Sequence, residues 1–251
     1  MIPPSQTSVI LVEPSLAVNV GAVARAMKNM GFSGLRLVCA DGTSEHLSDP
    51  ARRMASGAED VLEEARVFPS LNEALADLRV VAGCTARKGK GRHPVLDPQG
   101  LREHAAGHGP QTRLGIVFGR EDRGLTNAEL DLCHLVVTIP TAPEHPSLNL
   151  AQAVLLVCYE LMAGKTAKAG CKRARGSPAT SEELEGLYRH GRDVLLRIRF
   201  LDPQNPDRIL RVLRRILGRA GPDSREVKIL RGILRQMDWF ASKAEKESGE
   251  T

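Results

Sequence analysis

Apolar, β-branched runs alternate with helical spacing through the first two thirds of the chain. Runs typical of buried strands occupy residues 8–12, 35–39, 66–68, 80–84, 114–118 and 135–139, of which 66–68 is the weakest. Apolar residues spaced three and four apart predict helices over 19–30, 71–78 and 148–162. Strands that alternate with helices are typical of parallel sheets. The sequence therefore predicts an α/β fold with helices on both faces of the sheet.

The last third of the chain has a different pattern. Residues 165–179 contain five basic residues and no acidic ones, which predicts a flexible cationic linker. Three helical patterns follow, and each opens with a start signal: Thr180 with Glu183, Asn205 before Pro206, and Asp223 with Glu226. The chain is therefore divided into an α/β domain (1–164), a linker (165–179) and a helical module (180–251).

Charge is distributed unevenly between these parts. Residues 1–164 contain 15 Lys and Arg against 18 Asp and Glu, a net charge of −3, whereas residues 165–251 contain 20 against 12, a net charge of +8. A near-neutral body with a basic appendage indicates a polyanionic partner such as nucleic acid. A solvated helical surface is the alternative.

Composition and cysteine spacing exclude several classes of protein. No apolar run reaches the ~20 residues that span a bilayer, and the first residues do not resemble a secretory leader. The five cysteines are odd in number and have no C-x-x-C spacing, which disfavours a disulfide framework or a zinc site. We therefore expect a cytoplasmic protein with no membrane span and no metal.

Three segments that follow predicted strands carry candidate chemistry. They read N-x-G-x-x-x-R over residues 19–25, F-G-x-E-x-x-G-L over 118–125, and I-P…S-L-N-x-A-x-A over 139–153. Open α/β sheets place ligands beyond the carboxyl ends of their strands. No glycine-rich phosphate loop occurs, which disfavours dinucleotide oxidoreductases and P-loop enzymes.

In this order the three motifs resemble the SPOUT superfamily of RNA methyltransferases, specifically its SpoU branch of ribose 2′-O-methyltransferases. Residues 200–239 are similar to the C-terminal extension of the branch members that methylate nucleotide 32 of the tRNA anticodon loop. The resemblance implies a homodimer that acts on tRNA. It also implies a C-terminal deep trefoil knot that binds S-adenosylmethionine, although chain threading is rare enough that sequence physics alone argues against it.

The resemblance also implies roles for individual residues. Arg25 corresponds to the family's catalytic arginine, for which a role as general base has been suggested. Because a guanidinium is effectively never deprotonated in proteins, we prefer a role in which it clamps a phosphate and stabilises negative charge on the ribose oxygen. Asn19, Glu121, Ser147 and Asn149 are the other catalytic candidates.

Each of these four candidates also has a plain structural interpretation. Asn19 could cap the helix at whose start it lies. Glu121 lies beside Arg120 and Arg123 and could simply pair with them. The polar residues of segment 147–149 could cap the helix that follows.

The resemblance places S-adenosylmethionine against the backbone of four short segments. The residues concerned are Thr85, Ala86, Arg87, Gly119, Arg120, Glu121, Ile139, Ser147 and Leu148. Residues 87–93, RKGKGRH, could meet tRNA phosphate or form an exposed loop. Related enzymes commonly read E-Y-S-S-L-N where residues 144–149 read E-H-P-S-L-N, so the nucleobase preference stays open.

Two other functions remain compatible with the motifs. The same ribose methylation could act on ribosomal RNA, because the catalytic motifs do not specify which RNA is the substrate. A catalytically silent RNA-binding protein could also have kept this fold.

Overall fold

The computed structural model describes residues 2–41, 44–87, 94–163 and 178–249, which form two compact units. The first contains a parallel sheet with its helices, and the second is helical. Residues 165–177 of the predicted linker lie outside the described residues. Its last two residues belong to the helical module, because Ala179 is buried and Pro178 forms a β-bridge with Asp223.

Seven parallel strands form the sheet of the α/β domain. They are β1 (Thr7–Val12), β2 (Gly34–Val38), β3 (Arg66–Phe68), β4 (Val80–Cys84), β5 (Val95–Leu96), β6 (Leu114–Phe118) and β7 (Leu135–Val137). Their order is β3-β2-β1-β6-β4-β7-β5, and every neighbouring pair is parallel. Strands β2 and β3 lie on one side of β1, whereas β4, β5, β6 and β7 lie on its other side. This reversal opens a crevice at the edge of the sheet where the strands have their carboxyl ends.

Helices cover both faces of this sheet, as predicted. They are α1 (Ala17–Asn29), α2 (Asp49–Ala55), α3 (Glu59–Glu63), α4 (Leu71–Leu75), α5 (Pro98–Ala106), α6 (Asn127–Asp131) and α7 (Leu150–Ala163). The larger apolar core lies under α1, α2, α3, α5 and α7, and the smaller one lies under α4 and α6. Alternate residues of β1 enter the two cores, Val9 and Leu11 the larger one and Ile10 and Val12 the smaller.

The predicted strands are confirmed to within two residues at each end, but several short elements were missed. Strand β5 has two residues, and helices α2, α3 and α5 have seven, five and nine. Segments this short contain too few repeats of the apolar pattern to be distinguished from loops in the sequence. Helix α5 carries a local signal nonetheless, because Asp97 caps it and Pro98 occupies its first turn.

Three helices form the helical module: α8 (Ser181–Arg197), α9 (Asp207–Ala220) and α10 (Ser224–Gly249). Thr180 and Glu183 form the predicted capping box of α8. Asp223 and Glu226 each accept a hydrogen bond from the other's backbone N–H at 2.8 Å, which confirms the predicted start of α10. Helix α9 begins after Pro206, one residue later than predicted.

Candidate active site

A cavity of about 520 Å³ opens beyond the carboxyl ends of β6, β4 and β7, which are neighbours in the sheet. Small-molecule sites usually measure ~300 to 1,000 Å³. All nine residues predicted to contact the cofactor line this cavity: Thr85, Ala86, Arg87, Gly119, Arg120, Glu121, Ile139, Ser147 and Leu148. Four segments that are separate in sequence therefore share one concave surface.

The cavity lining is both apolar and charged. Apolar side chains come from the ends of β6 and β7 and from the start of α7, among them Phe118, Val137 and Leu150. Charged side chains of both signs are also present, including Arg87 and Asp122. Such a lining suits a ligand with an apolar ring system and charged ends.

One wall of the cavity is a tight loop formed by residues 119–125. Gly124 has a φ of +65°, and its N–H donates to the carbonyl oxygen of Arg120 at 2.8 Å. A Cβ at Gly119 would lie 2.1 Å from the carbonyl carbon of Gly124 and 2.2 Å from the nitrogen of Leu125. Only glycine at position 119 allows the loop to close on itself in this way.

The Arg120 side chain fixes this loop to two other elements. Its Nε donates to Glu13 at 2.6 Å, and one terminal nitrogen donates to Glu129 at 2.9 Å. Glu13 directly follows β1, and Glu129 lies in the first turn of α6, where it closes a capping box with Thr126. The Arg120 side chain is 9% exposed, and this double pairing largely satisfies its guanidinium.

Glu121 is held by the start of α1 rather than by a neighbouring arginine. Its two carboxylate oxygens accept from Asn19 Nδ2 at 2.7 Å and from the Ser15 N–H at 3.0 Å. Partial burial raises the pKa of Glu121, but these hydrogen bonds outweigh burial and hold that pKa below its ordinary value. Glu121 is therefore an ionised acceptor that ties the cavity wall to α1.

Helix α1 carries Asn19 and Arg25 on different faces. Asn19 does not cap the helix, because Leu16 is the N-cap residue and makes no side-chain cap. Arg25 is exposed, lies outside the cavity lining, and has no paired carboxylate among the residues that the structure describes. It follows Asn19 by six residues, about 9 Å along the helix axis. At Gly21, a Cβ would lie 2.1 Å from the Ala51 carbonyl oxygen, so α1 packs closely on α2.

The segment before α7 places Ser147 and Asn149 differently. Ser147 is exposed and lines the cavity. Asn149 Oδ1 accepts from the N–H of Ala151 at 2.9 Å and of Gln152 at 3.4 Å, so Asn149 caps α7. The capping interpretation therefore holds for Asn149, and Ser147 remains available to a ligand.

Sequence reasoning missed Glu13, Ser15 and Glu129 as parts of this site. Glu13 adopts a left-handed conformation with φ of +45°, which is uncommon for a residue other than glycine. Glu129 stands three residues after Thr126, the capping-box spacing, and that signal could have identified it. Residues 88–93 of the predicted basic loop lie outside the described residues.

Within the described ranges, no three His, Cys, Asp or Glu side chains are grouped so that they could hold a metal ion. No helix in the described part of the chain has the length and apolar character needed to cross a membrane.

Two family models match the chain. Residues 6–159 match the SpoU rRNA methylase family, and residues 182–249 match the C-terminal domain of the tRNA methyltransferase TrmJ. The two matches correspond to the α/β domain and the helical module.

Whole-chain relatives agree with both matches. The chain is 38% identical to the tRNA (cytidine/uridine-2′-O-)-methyltransferase TrmJ of Klebsiella pneumoniae over 235 aligned residues. The aligned region covers 92% of this chain and 95% of that protein. It is 39% identical to the enzyme of the same name from Cronobacter sakazakii, with the same coverage. The crystal structure of TrmJ from Z. mobilis ZM4 superposes with a TM-score of 0.79 at 37% identity, covering 92% of this chain and 99% of that one.

Proposed function

The chain belongs to the SpoU methylase family, and from this premise we propose that it methylates the ribose 2′-OH of nucleotide 32 in the tRNA anticodon loop, in the cytoplasm. The methyl donor is S-adenosylmethionine. One observation supports this function most directly. The residues expected to contact the donor line a single cavity, and Glu121 in its wall is hydrogen-bonded to the helix that bears Arg25.

The cavity fits the donor in size and in chemistry. When bound, S-adenosylmethionine supplies a methyl group already activated on a sulfonium. Phe118, Val137 and Ile139 offer apolar contacts for an adenine ring, and Gly119 lets the main chain form the cavity wall without a Cβ in the way. Glu121 and Arg87 supply charges of the sign opposite to those on the donor. The threaded loop expected around this cavity stays a prediction, because strand order and pairing do not define how a chain passes through its own loops.

Because the methyl group is already activated, the main contribution of the protein to the rate is to align the ribose 2′-oxygen with it. Proximity and orientation can contribute roughly 7 to 11 kcal/mol in favourable reactions. Arg25 is exposed and free of carboxylate partners among the described residues, so it is available to a substrate phosphate. We assign it the bidentate clamping of that phosphate and the stabilisation of negative charge that develops on the 2′-oxygen.

The other polar residues hold parts of the site, or the substrate, in position. Asn19 and Glu121 hold α1 against the cavity wall through a 2.7 Å hydrogen bond. Asn149 caps the start of α7 and thereby fixes the segment that carries Ser147. We assign the Ser147 hydroxyl the orientation of the ribose, because Ser147 lines the cavity and Asn149 does not.

The experiment that tests this function is a map of methylated riboses in total tRNA from cells with and without the protein. The expected result is loss of 2′-O-methylation at nucleotide 32, restored by the purified enzyme and donor. Methylation of a defined rRNA transcript but not of tRNA would support the rRNA alternative. Absence of donor binding in a calorimetric titration would support a silent RNA-binding protein.

We further infer that the enzyme is a homodimer through α1 and α7. These two helices pack against each other, and both expose apolar side chains. Val18 is 38% exposed on α1, and Leu156 and Tyr159 are 42% and 50% exposed on α7. Exposed apolar surface of this kind is typical of protein interfaces. Sedimentation should show a dimer that Leu156→Glu dissociates, whereas Val95→Glu, on the edge strand β5, should leave it intact.

A further inference from the structure

Two adjacent aromatic side chains are exposed on α10 of the helical module. Trp239 and Phe240 are 55% and 58% exposed, and their rings meet edge to face with centroids 4.8 Å apart. The Lys243 ammonium lies 5.8 Å from the centroid of the Trp239 ring. An aromatic surface beside a cation is chemically suited to a nucleobase and its phosphate.

Basic side chains continue from Trp239 along the same face of α10. Lys228 and Arg235, both exposed, precede Trp239 by eleven and four residues, or about 16 Å and 6 Å along the axis. At 3.6 residues per turn these three side chains share one face. The nearby carboxylate of Asp238 is paired with Arg197 at 2.6 Å, so its charge is offset.

We propose that Trp239 is a stacking platform for an unpaired base of the substrate RNA, with Lys228, Arg235 and Lys243 on the adjoining phosphates. The identity of that RNA as tRNA rests on the proposed function. Net charge favours RNA over a protein partner, because residues 165–251 carry +8. The apolar side chains of Ile229 and Ile233 lie on a neighbouring face of α10, outside this row of cations.

Fluorescence can test this platform directly. Trp239 is the only tryptophan in the chain, so intrinsic emission reports on its surroundings alone. The full-length protein is titrated with an RNA stem–loop of anticodon-arm sequence and with a fully paired RNA duplex of equal length. Stacking predicts strong quenching by the stem–loop and little quenching by the duplex, because paired bases are not free to stack on a side chain.

Substitutions separate stacking from general apolar contact. Trp239→Ala should weaken affinity for the stem–loop about 5- to 150-fold, the range that corresponds to loss of one stacked base. Trp239→Phe should retain most of the affinity because it keeps an aromatic face. Ile229→Ala is the matched control, since Ile229 is 54% exposed on the same helix but outside the row. Its affinity should equal that of the unaltered protein.

Other outcomes would overturn the platform. They are unchanged emission on stem–loop binding, equal losses for Trp239→Ala and Ile229→Ala, or a Trp239→Ala variant that loses its oligomeric state instead of its RNA affinity. The last would assign the aromatic pair to a protein interface. If nucleotide 32 is methylated without quenching, the platform fails and the proposed function stands. Quenching without any tRNA methylation would refute the function alone.

Discussion

Side chains around the cavity differ in whether they are already paired. Arg120, Glu121 and Asn149 each have protein partners that fix a loop or a helix end. Arg25 is exposed and unpaired within the described residues, and Ser147 is exposed at the cavity. The first group therefore positions the site, and the second is free to meet the substrate. This division makes different predictions for substitutions in the two groups.

Replacement of Arg25 should affect turnover without affecting the donor. We expect Arg25→Ala to lower kcat by about 100-fold or more, the usual effect of removing one group that stabilises developing charge. The affinity for S-adenosylmethionine should not change, because Arg25 lies outside the cavity lining. Single-turnover methyl transfer and calorimetric titration measure the two quantities. Arg25→Lys should recover only part of the rate, since lysine cannot bind phosphate bidentately. A parallel loss of donor affinity would contradict the assignment.

Replacement of Glu13 should weaken donor binding and leave turnover largely unchanged, the reverse of the effect expected for Arg25. Glu13 holds Arg120, and through it the loop 119–125, from a left-handed backbone position that costs of order 1 kcal/mol or more. We expect Glu13→Gln to weaken donor binding about tenfold in calorimetry and to change kcat at saturating donor much less. If Glu13 acts through Arg120, the double variant with Arg120→Gln should bind no worse than Arg120→Gln alone. Additive losses would show that it acts by another route.

At the scale of elements, the closed loop after β6 is the most demanding feature. Gly119→Ala would place a methyl group within 2.2 Å of two backbone atoms, so the loop must open. We expect donor binding to be lost and the free energy of unfolding to fall by about 1 to 3 kcal/mol. Gly109→Ala is the matched control, because nothing lies within 4 Å of a Cβ at that position. Urea unfolding and donor titration of both variants would decide the point, and equal behaviour would refute it.

An ion-paired triad links strand β2 to the segments that precede β4 and β6. Asp77 pairs with the buried Arg36 at 2.5 Å and with Arg113 at 2.6 Å. Burial alone would raise the pKa of Asp77, but the two guanidinium groups outweigh it and lower that pKa from 3.8 to about 2.

The free energy of unfolding should therefore depend on the ionisation of Asp77 at acidic pH. The carboxyl is more acidic when folded, so its stabilisation is complete above about pH 4 and is lost as the pH falls to about 2. Because its side chain is 35% exposed, we expect a contribution of only about 1 kcal/mol. Urea unfolding between pH 7 and pH 2 should show a smaller acid-dependent loss in Asp77→Asn than in the unaltered protein. Identical pH profiles would contradict this expectation.

Local pattern predicted the long elements and left out the partners that bring them together. The strand at 114–118 is recognisable because four of its five residues are apolar and none is polar or charged. The Arg120 pairing with Glu13 joins residues 107 apart in sequence, and that of Glu121 with Asn19 joins residues 102 apart. No periodicity encodes such contacts. The cavity residues came from motif resemblance, since main-chain recognition of a ligand leaves little side-chain pattern.

For the whole molecule, a near-neutral catalytic domain followed by a basic C-terminal part, residues 165–251, predicts separate responses to salt. Donor affinity should change little with ionic strength, because its cavity is lined by charges of both signs. Affinity for tRNA should fall steeply, because bound phosphates displace counterions. The slope of log affinity against log salt should become shallower by about 1.4 in the double variant Lys228→Gln with Arg235→Gln, or ~0.7 for each lost contact to single-stranded RNA. Parallel salt plots for the double variant and the unaltered protein would mean that these two cations do not touch the RNA, and that the +8 charge acts only as a diffuse field.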